Sequence, residues 1–174
     1  MHPDSMRLMA EVKRKYLAYV QPGMLVCDDG GLHNSPDKCY YRLFPGTEYV
    51  VCDIVPHPSV RYVKPDPFTL PFPDESFDLV LSGQMLEHCQ NPFKAVAEMK
   101  RVLKIGRCLA IIVPSTGRRH DAQDGWRFMD DAFRFISAEV GGFMTLCDFI
   151  DKQGTEEGRG KHWKDHVWVA RRIA

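Results

Sequence analysis

Phe77-Asp78-Leu79-Val80-Leu81-Ser82-Gly83, followed by Asn91-Pro92 and then by Leu109-Ala110-Ile111-Ile112-Val113, is the stretch on which the fold turns. The first run is a buried strand that ends at Ser82-Gly83. Asn91-Pro92 caps a helix whose apolar positions Phe93, Val96, Ala97, Val102 and Leu103 share one face. Lys100, Arg101 and Lys104 suit its carboxyl end, and Gly106 sits just past it. Residues 109–113 form the strongest strand of the chain. Strands that are apolar throughout, separated by helices, indicate a parallel sheet covered on both faces, with right-handed crossovers.

The same alternation extends in both directions. Asp4 and Ser5 precede Met6, Met9, Val12, Tyr16 and Leu17 at helical spacing, and Pro22-Gly23 ends that helix. Residues 24–27 make a short strand that closes on Asp28-Asp29-Gly30-Gly31. Ser35-Pro36 predicts a short helix from Pro36 toward Phe44, stopped by Pro45-Gly46. Strands follow at 49–52, ending at Asp53, and more weakly at 60–63. Downstream, Asp130 opens a helix through Phe133 and Ile136 to Gly141-Gly142. Strands at 143–150 and 167–170 come next, with a polar, Gly-rich loop over 151–165 between them. The expected architecture is α/β: a Rossmann-like, doubly wound, mostly parallel sheet with a C-terminal antiparallel strand. One domain is expected over 1–174, with an N-terminal helix in 1–22, the core in 24–150, and the polar loop and last strand in 151–174.

Composition narrows the function. The 174 residues are 44% hydrophobic and 26% charged, with 23 Lys plus Arg against 23 Asp plus Glu, so net charge steers the chain toward neither nucleic acid nor an acidic membrane. The apolar run 108–114 falls far short of the ~20 residues of a membrane span. Charge is spread through Met1 to Val20, unlike a secretory signal, and cytoplasmic residence is the expectation. Cys27, Cys39, Cys52, Cys89, Cys108 and Cys147 stand singly and read as buried thiols. In an open parallel sheet the ligand lies beyond the carboxyl ends of the strands, at the switch point of strand order. That directs attention to 28–34, Asp53, Asp66, 82–88 and 114–127.

Leu70-Pro71-Phe72-Pro73-Asp74-Glu75-Ser76-Phe77-Asp78-Leu79-Val80, then Glu87-His88, then Glu98-Met99-Lys100-Arg101-Val102-Leu103-Lys104, resemble in that order the class I S-adenosylmethionine-dependent methyltransferases. The likeness is to the methyltransferase type 11 kind, related to ubiquinone-biosynthesis and small-molecule enzymes, and spans about Met24 to Ile150. It implies a single methyltransferase-like domain that transfers a methyl group from S-adenosylmethionine to an O, N or C nucleophile of a small molecule or sugar. S-adenosylhomocysteine is the product. The alternative is a non-catalytic S-adenosylmethionine-binding or scaffold protein on the same fold. Neither a membrane nor nucleic acid is the expected partner, and the basic, aromatic stretch 159–168 reads as a solvated loop rimming the site.

The resemblance also assigns positions. Asp53, closing Tyr49-Val50-Val51-Cys52-Asp53, would accept from the two ribose hydroxyls, although a turn cap uses the same residue. Asp66 would accept from the adenine amine, with Pro67 and Phe68 beside the ring; Pro65-Asp66-Pro67 is equally a turn, and Phe68 equally core. Asp28, Gly30, Ser82 and Gly83 would serve the methionine end. The glycine-rich turn departs from the family at Leu32 and Asn34, which stand where glycines are usual. Gln84, Trp126 and Arg127 are expected at the substrate. His120 and Asp124 form a candidate base and orienter, with His88 a further catalytic candidate; a loop held by Asp124 pairing with Arg127 or Arg118 is the competing reading. No local HxxxH or CxxC spacing joins His88, His120, Asp121 and Asp124, so no metal is expected.

Overall fold

The computed structural model describes residues 3–35, 39–152 and 163–174. Seven strands form one sheet in the order β3-β2-β1-β4-β5-β7-β6. They are β1 (Leu25–Asp29), β2 (Glu48–Asp53), β3 (Tyr62–Val63), β4 (Phe77–Gly83), β5 (Leu103–Thr116), β6 (Phe143–Ile150) and β7 (Lys164–Arg172). The first five pair in parallel, and β7 runs antiparallel to both β5 and β6. The doubly wound sheet and its single reversed strand are as the sequence predicts. Every residue of β4 is buried, which is what a central strand covered on both faces requires.

Helix α1 (Pro3–Tyr16) lays Leu8, Met9 and Val12 on one face of the sheet, against Val26, Leu79, Leu81, Ala110 and Ile112. Helices α2 (Pro92–Val102) and α3 (Ala132–Val140) cover the other face. There Ala95, Val96, Met99, Phe133 and Ile136 meet Val80, Leu109, Ile111, Val113 and Trp168. The side-chain oxygen of Asn91 accepts from the Lys94 amide at 3.1 Å and, with Pro92, starts α2 where expected.

The far end of α2 differs from the expectation that it runs through Lys104. It stops at Val102, and the chain passes directly into β5. Arg172 of β7 braces the point where helix gives way to strand: its Nη1 donates to the carbonyls of Lys100 at 3.0 Å, which also accepts from the Leu103 amide, and of Leu103 at 2.5 Å. Upstream, the short helix expected from Pro36 toward Phe44 is a 3₁₀ turn at Tyr40–Leu43, and residues 36–38 lie outside the described residues. The last strand begins at Lys164, so the end of the expected loop 151–165 is sheet; residues 153–162 also lie outside the described residues. No described helix is long and apolar enough to cross a membrane.

Candidate functional site

The strand order reverses between β1 and β4, and a cavity of about 370 Å³ opens beyond the carboxyl ends of β1, β2 and β4. Gly30, Asp53, Pro67, Gln84 and His88 line it with Leu32, Ile54, Val55 and Met85. Its volume is that of a small-molecule site, and its place is where an open α/β sheet binds a ligand. Four of the positions expected at cofactor or substrate, together with the catalytic candidate His88, are thus gathered around one space.

Asp53 is half-buried at the end of β2, and one carboxylate oxygen accepts from the Val55 amide at 3.0 Å. Gly30 follows β1 with φ +78°, and a Cβ there would fall 2.2 Å from the Cγ of Met85, so glycine is required both by backbone and by packing. Gln84 has a left-handed backbone, φ +56°, costly for a residue with a Cβ. It is held by its amide donating to the Ile112 carbonyl at 2.8 Å and by its side-chain nitrogen donating to Asp165 at 3.1 Å. The side-chain oxygen of Gln84 is buried with no hydrogen-bond partner.

Other expected positions lie outside this wall. Asp28 is fully buried against Gly31; one oxygen accepts from the Tyr49 hydroxyl at 2.7 Å and the other has no partner. Burial pushes its carboxyl up to about 7, despite the Tyr49 bond. Asp66 turns onto its own loop, accepting from the Phe68 amide at 2.7 Å and the Thr69 hydroxyl at 2.8 Å, which lowers its pKa. Phe68 packs on the core. Ser82 is buried and donates to the Asp29 carbonyl at 2.9 Å, and Gly83 makes room for Tyr40, whose hydroxyl would lie 2.4 Å from an added Cβ.

A second cavity, about 320 Å³, shares His88, Cys89, Gln90 and Gln123 with the first and adds Glu87, Asp124 and Trp126. Three hydrogen bonds stitch the loop after β4 to the loop after β5. The Gly125 amide donates to the Glu87 carbonyl at 2.9 Å, His88 Nδ1 to the Gln123 carbonyl at 2.9 Å, and Trp126 Nε1 to the Cys89 carbonyl at 2.8 Å. The expected His120–Asp124 pair forms, with Nδ1 2.8 Å from Oδ2, but neither residue lines the cavity that Asp53 lines. Asp124 is also gripped by the Arg127 guanidinium, whose hydrogen bond is the main cause holding its carboxyl well below the usual range. Arg127 donates as well to the carbonyls of Gly117 at 3.0 Å and Arg118 at 2.7 Å. Its fork is therefore directed into its own loop, which it holds closed. His120 stacks edge-on with His88, ring centres 5.0 Å apart, and with Trp163 at 5.3 Å.

Sequence reading missed two buried titratable side chains here. Lys64 lines the first cavity and pairs with Asp29 below it. Glu87 is fully buried, neither carboxylate oxygen has a hydrogen-bond partner, and burial pushes its carboxyl up to about 8. No periodicity marks either one, because their partners and neighbours come from other strands and loops.

The fold is that of the class I methyltransferases. Residues 45–111 match the family described as "Methyltransferase domain", and this segment holds Asp53, Pro67, Gln84 and His88. The chain is 32% identical over 83 residues to the malonyl-[acyl-carrier protein] O-methyltransferase of Enterobacter lignolyticus, covering 46% of this chain and 33% of that protein. It is 51% identical over 39 residues to an uncharacterized methyltransferase of Schizosaccharomyces pombe, covering 22% of this chain and 14% of that one. The chain thus spans a third or less of the length of these curated relatives. In structure it resembles the 1,6-didemethyltoxoflavin-N1-methyltransferase of Burkholderia thailandensis, described with bound 1,6-didemethyltoxoflavin and S-adenosylhomocysteine. That likeness has TM-score 0.71 and 18% identity, and covers 98% of this chain and 79% of that one.

Proposed function

We propose that the protein binds S-adenosylmethionine in the first cavity and transfers its methyl group to a nucleophilic atom of a small molecule or sugar. The observation that carries this reading is the Asp53 carboxylate in the cavity wall, at the end of the second strand and across the β1/β4 switch point from Gln84. The methyl donor is cationic at both its sulfonium and its ammonium. The chain's residues fit such a group: the orphaned Gln84 oxygen and the Asp53 carboxylate are acceptors, while Leu32, Ile54 and Val55 give the wall an apolar side. When bound, the sulfonium supplies the activated methyl group.

What this chain must add is alignment. Gln84, strained and held from two sides, sets the edge of the cavity, and Lys64 holds the Pro67 carbonyl at 3.3 Å in the opposite wall. The second cavity, walled by Trp126, is the acceptor's side, because it shares His88 with the first. An acceptor in the second cavity would lie beside His88, which lines both cavities and whose ring is held by the Gln123 carbonyl. The small volumes of both spaces favour a small molecule or sugar.

A binding protein without turnover is the second reading, favoured by Leu32, which lines the cavity in the altered glycine turn. Thermal melting with S-adenosylmethionine, S-adenosylhomocysteine and NAD tests the first claim: the first two are expected to raise the midpoint and NAD to leave it unchanged. Formation of S-adenosylhomocysteine in the presence of a panel of small hydroxyl, amine and carboxylate acceptors separates the enzyme from the scaffold.

A further inference from the structure

We propose that Glu87, His88 and His120 form a binding site for one divalent transition-metal ion of the zinc kind, placed where the two cavities meet. One ligand atom from each of the three lies within 4.8 Å of the others. Two imidazoles and a carboxylate, with room for further ligands, are a donor set suited to zinc, iron, cobalt or nickel rather than to magnesium or calcium. The proposal is independent of which ligand fills the first cavity.

The imidazoles are set for the task by their hydrogen bonds. His88 Nδ1 meets the Gln123 carbonyl, an acceptor only, at 2.9 Å, which puts the proton on Nδ1 and the lone pair on Nε2. That Nε2 is 3.7 Å from the carboxylate of Glu87. His120 Nδ1 meets the Asp124 carboxylate, an acceptor only, at 2.8 Å. A histidine whose second nitrogen donates to a carboxylate or a carbonyl is the usual outer arrangement around a bound metal. Asp124 is in turn fixed by Arg127. Each imidazole therefore has its tautomer and ring plane determined before any ion arrives.

The second, independent observation is Glu87. Its side chain is wholly buried, yet among the described residues neither oxygen has a hydrogen-bond partner. An orphaned buried carboxylate is costly, and a cation beside it would remove that cost. Access is available from the histidine side, since the side chains of His88 and His120 are 30% and 28% exposed. Glu87-His88 and His120 come from the two loops that three hydrogen bonds stitch together, so the cluster exists only in the folded chain.

Titration of the chelator-treated protein with Co²⁺, followed by its visible d–d absorption, tests the site. One Co²⁺ per chain is expected, displaced by Zn²⁺ and without the near-ultraviolet band of a thiolate ligand, which separates this site from the cysteines. Glu87→Gln and His120→Ala are each expected to weaken Co²⁺ binding at least tenfold. Asp124→Asn, which alters the outer hydrogen bond to His120 and loosens the ion pair with Arg127, should weaken it by roughly 10–100-fold. Glu87→Gln keeps the size and shape of the side chain and adds no charge, so it should melt no lower than the parent, and its loss of Co²⁺ then reports the ligand and not the fold. No Co²⁺ uptake at millimolar concentration, equal uptake by the parent and Glu87→Gln, or a thiolate band would each overturn the proposal.

Discussion

Lys64 Nζ donates to Asp29 Oδ1 over 2.6 Å, and both side chains are only 3% exposed. Burial works against the Lys64 ammonium, but the charge and hydrogen bond of Asp29 outweigh it and raise its pKa. The pair joins the end of β1 to the segment that carries Pro67, and so holds two walls of the first cavity in register. Removing one partner strands the other charge. Lys64→Ala is expected to cost about 3–5 kcal/mol in urea unfolding, and Lys64→Met combined with Asp29→Leu to recover most of that loss. A Lys64→Ala protein as stable as the parent would show that the pair holds nothing.

Asp53 contributes little to packing, being half-buried with a single hydrogen bond to the Val55 amide. Asp53→Ala should therefore leave the melting midpoint nearly unchanged. It should weaken S-adenosylhomocysteine binding by about 1.5–3 kcal/mol, the usual worth of hydrogen bonds to a charged group. Equal affinities by calorimetry would remove Asp53 from the site.

Asp28 predicts a pH dependence. Burial raises its pKa in the folded protein to about 7, from an ordinary value of 3.8. The folded state therefore holds a proton that the unfolded chain releases. The stability tied to this proton is complete below about pH 4 and is lost as pH rises through about 7. Asp28→Asn, which keeps an acceptor for Tyr49, should raise the melting midpoint at pH 8 and lose that advantage at pH 4. A midpoint difference independent of pH would show that Asp28 ionises normally.

Gly30 is the tightest point of the site. Gly30→Ala meets both a left-handed backbone, φ +78°, and the side chain of Met85. The backbone cost alone is about 1–2 kcal/mol, and Met85 has to move within the wall of the first cavity. Reduced stability together with weaker ligand binding is the expected result. Leu32→Gly, at a half-buried wall position, should by contrast spare most of the stability and preserve or tighten binding. Core-like destabilisation by Leu32→Gly would show that the altered turn is packed rather than open.

The strands and the covering helices were legible because burial writes itself into periodicity: 79–81 and 109–113 are apolar throughout, and α1 shows its face through Met9 and Val12. The end of α2 was not, because the arginine that braces it belongs to β7. The site was legible in part. Asp53, Gly30, Gln84 and His88 could be placed from the ends of the strands to which they attach. The directions in which Asp66 and Arg127 turn depend on local hydrogen bonds, with Phe68 and Thr69 for one and with Gly117, Arg118 and Asp124 for the other. Glu87 stood out only as part of the Glu87-His88 motif; its burial without a hydrogen-bond partner is a property of the folded interior.

The central claim is that the cavity beside Asp53 is made for S-adenosylmethionine. Isothermal calorimetry with S-adenosylhomocysteine, repeated in excess NAD, tests it most directly. The account predicts one site per chain, saturating well below millimolar ligand, weakened in Asp53→Ala and unaffected by NAD. A folded protein that shows no heat at millimolar S-adenosylhomocysteine, or that loses it to NAD, would contradict the account.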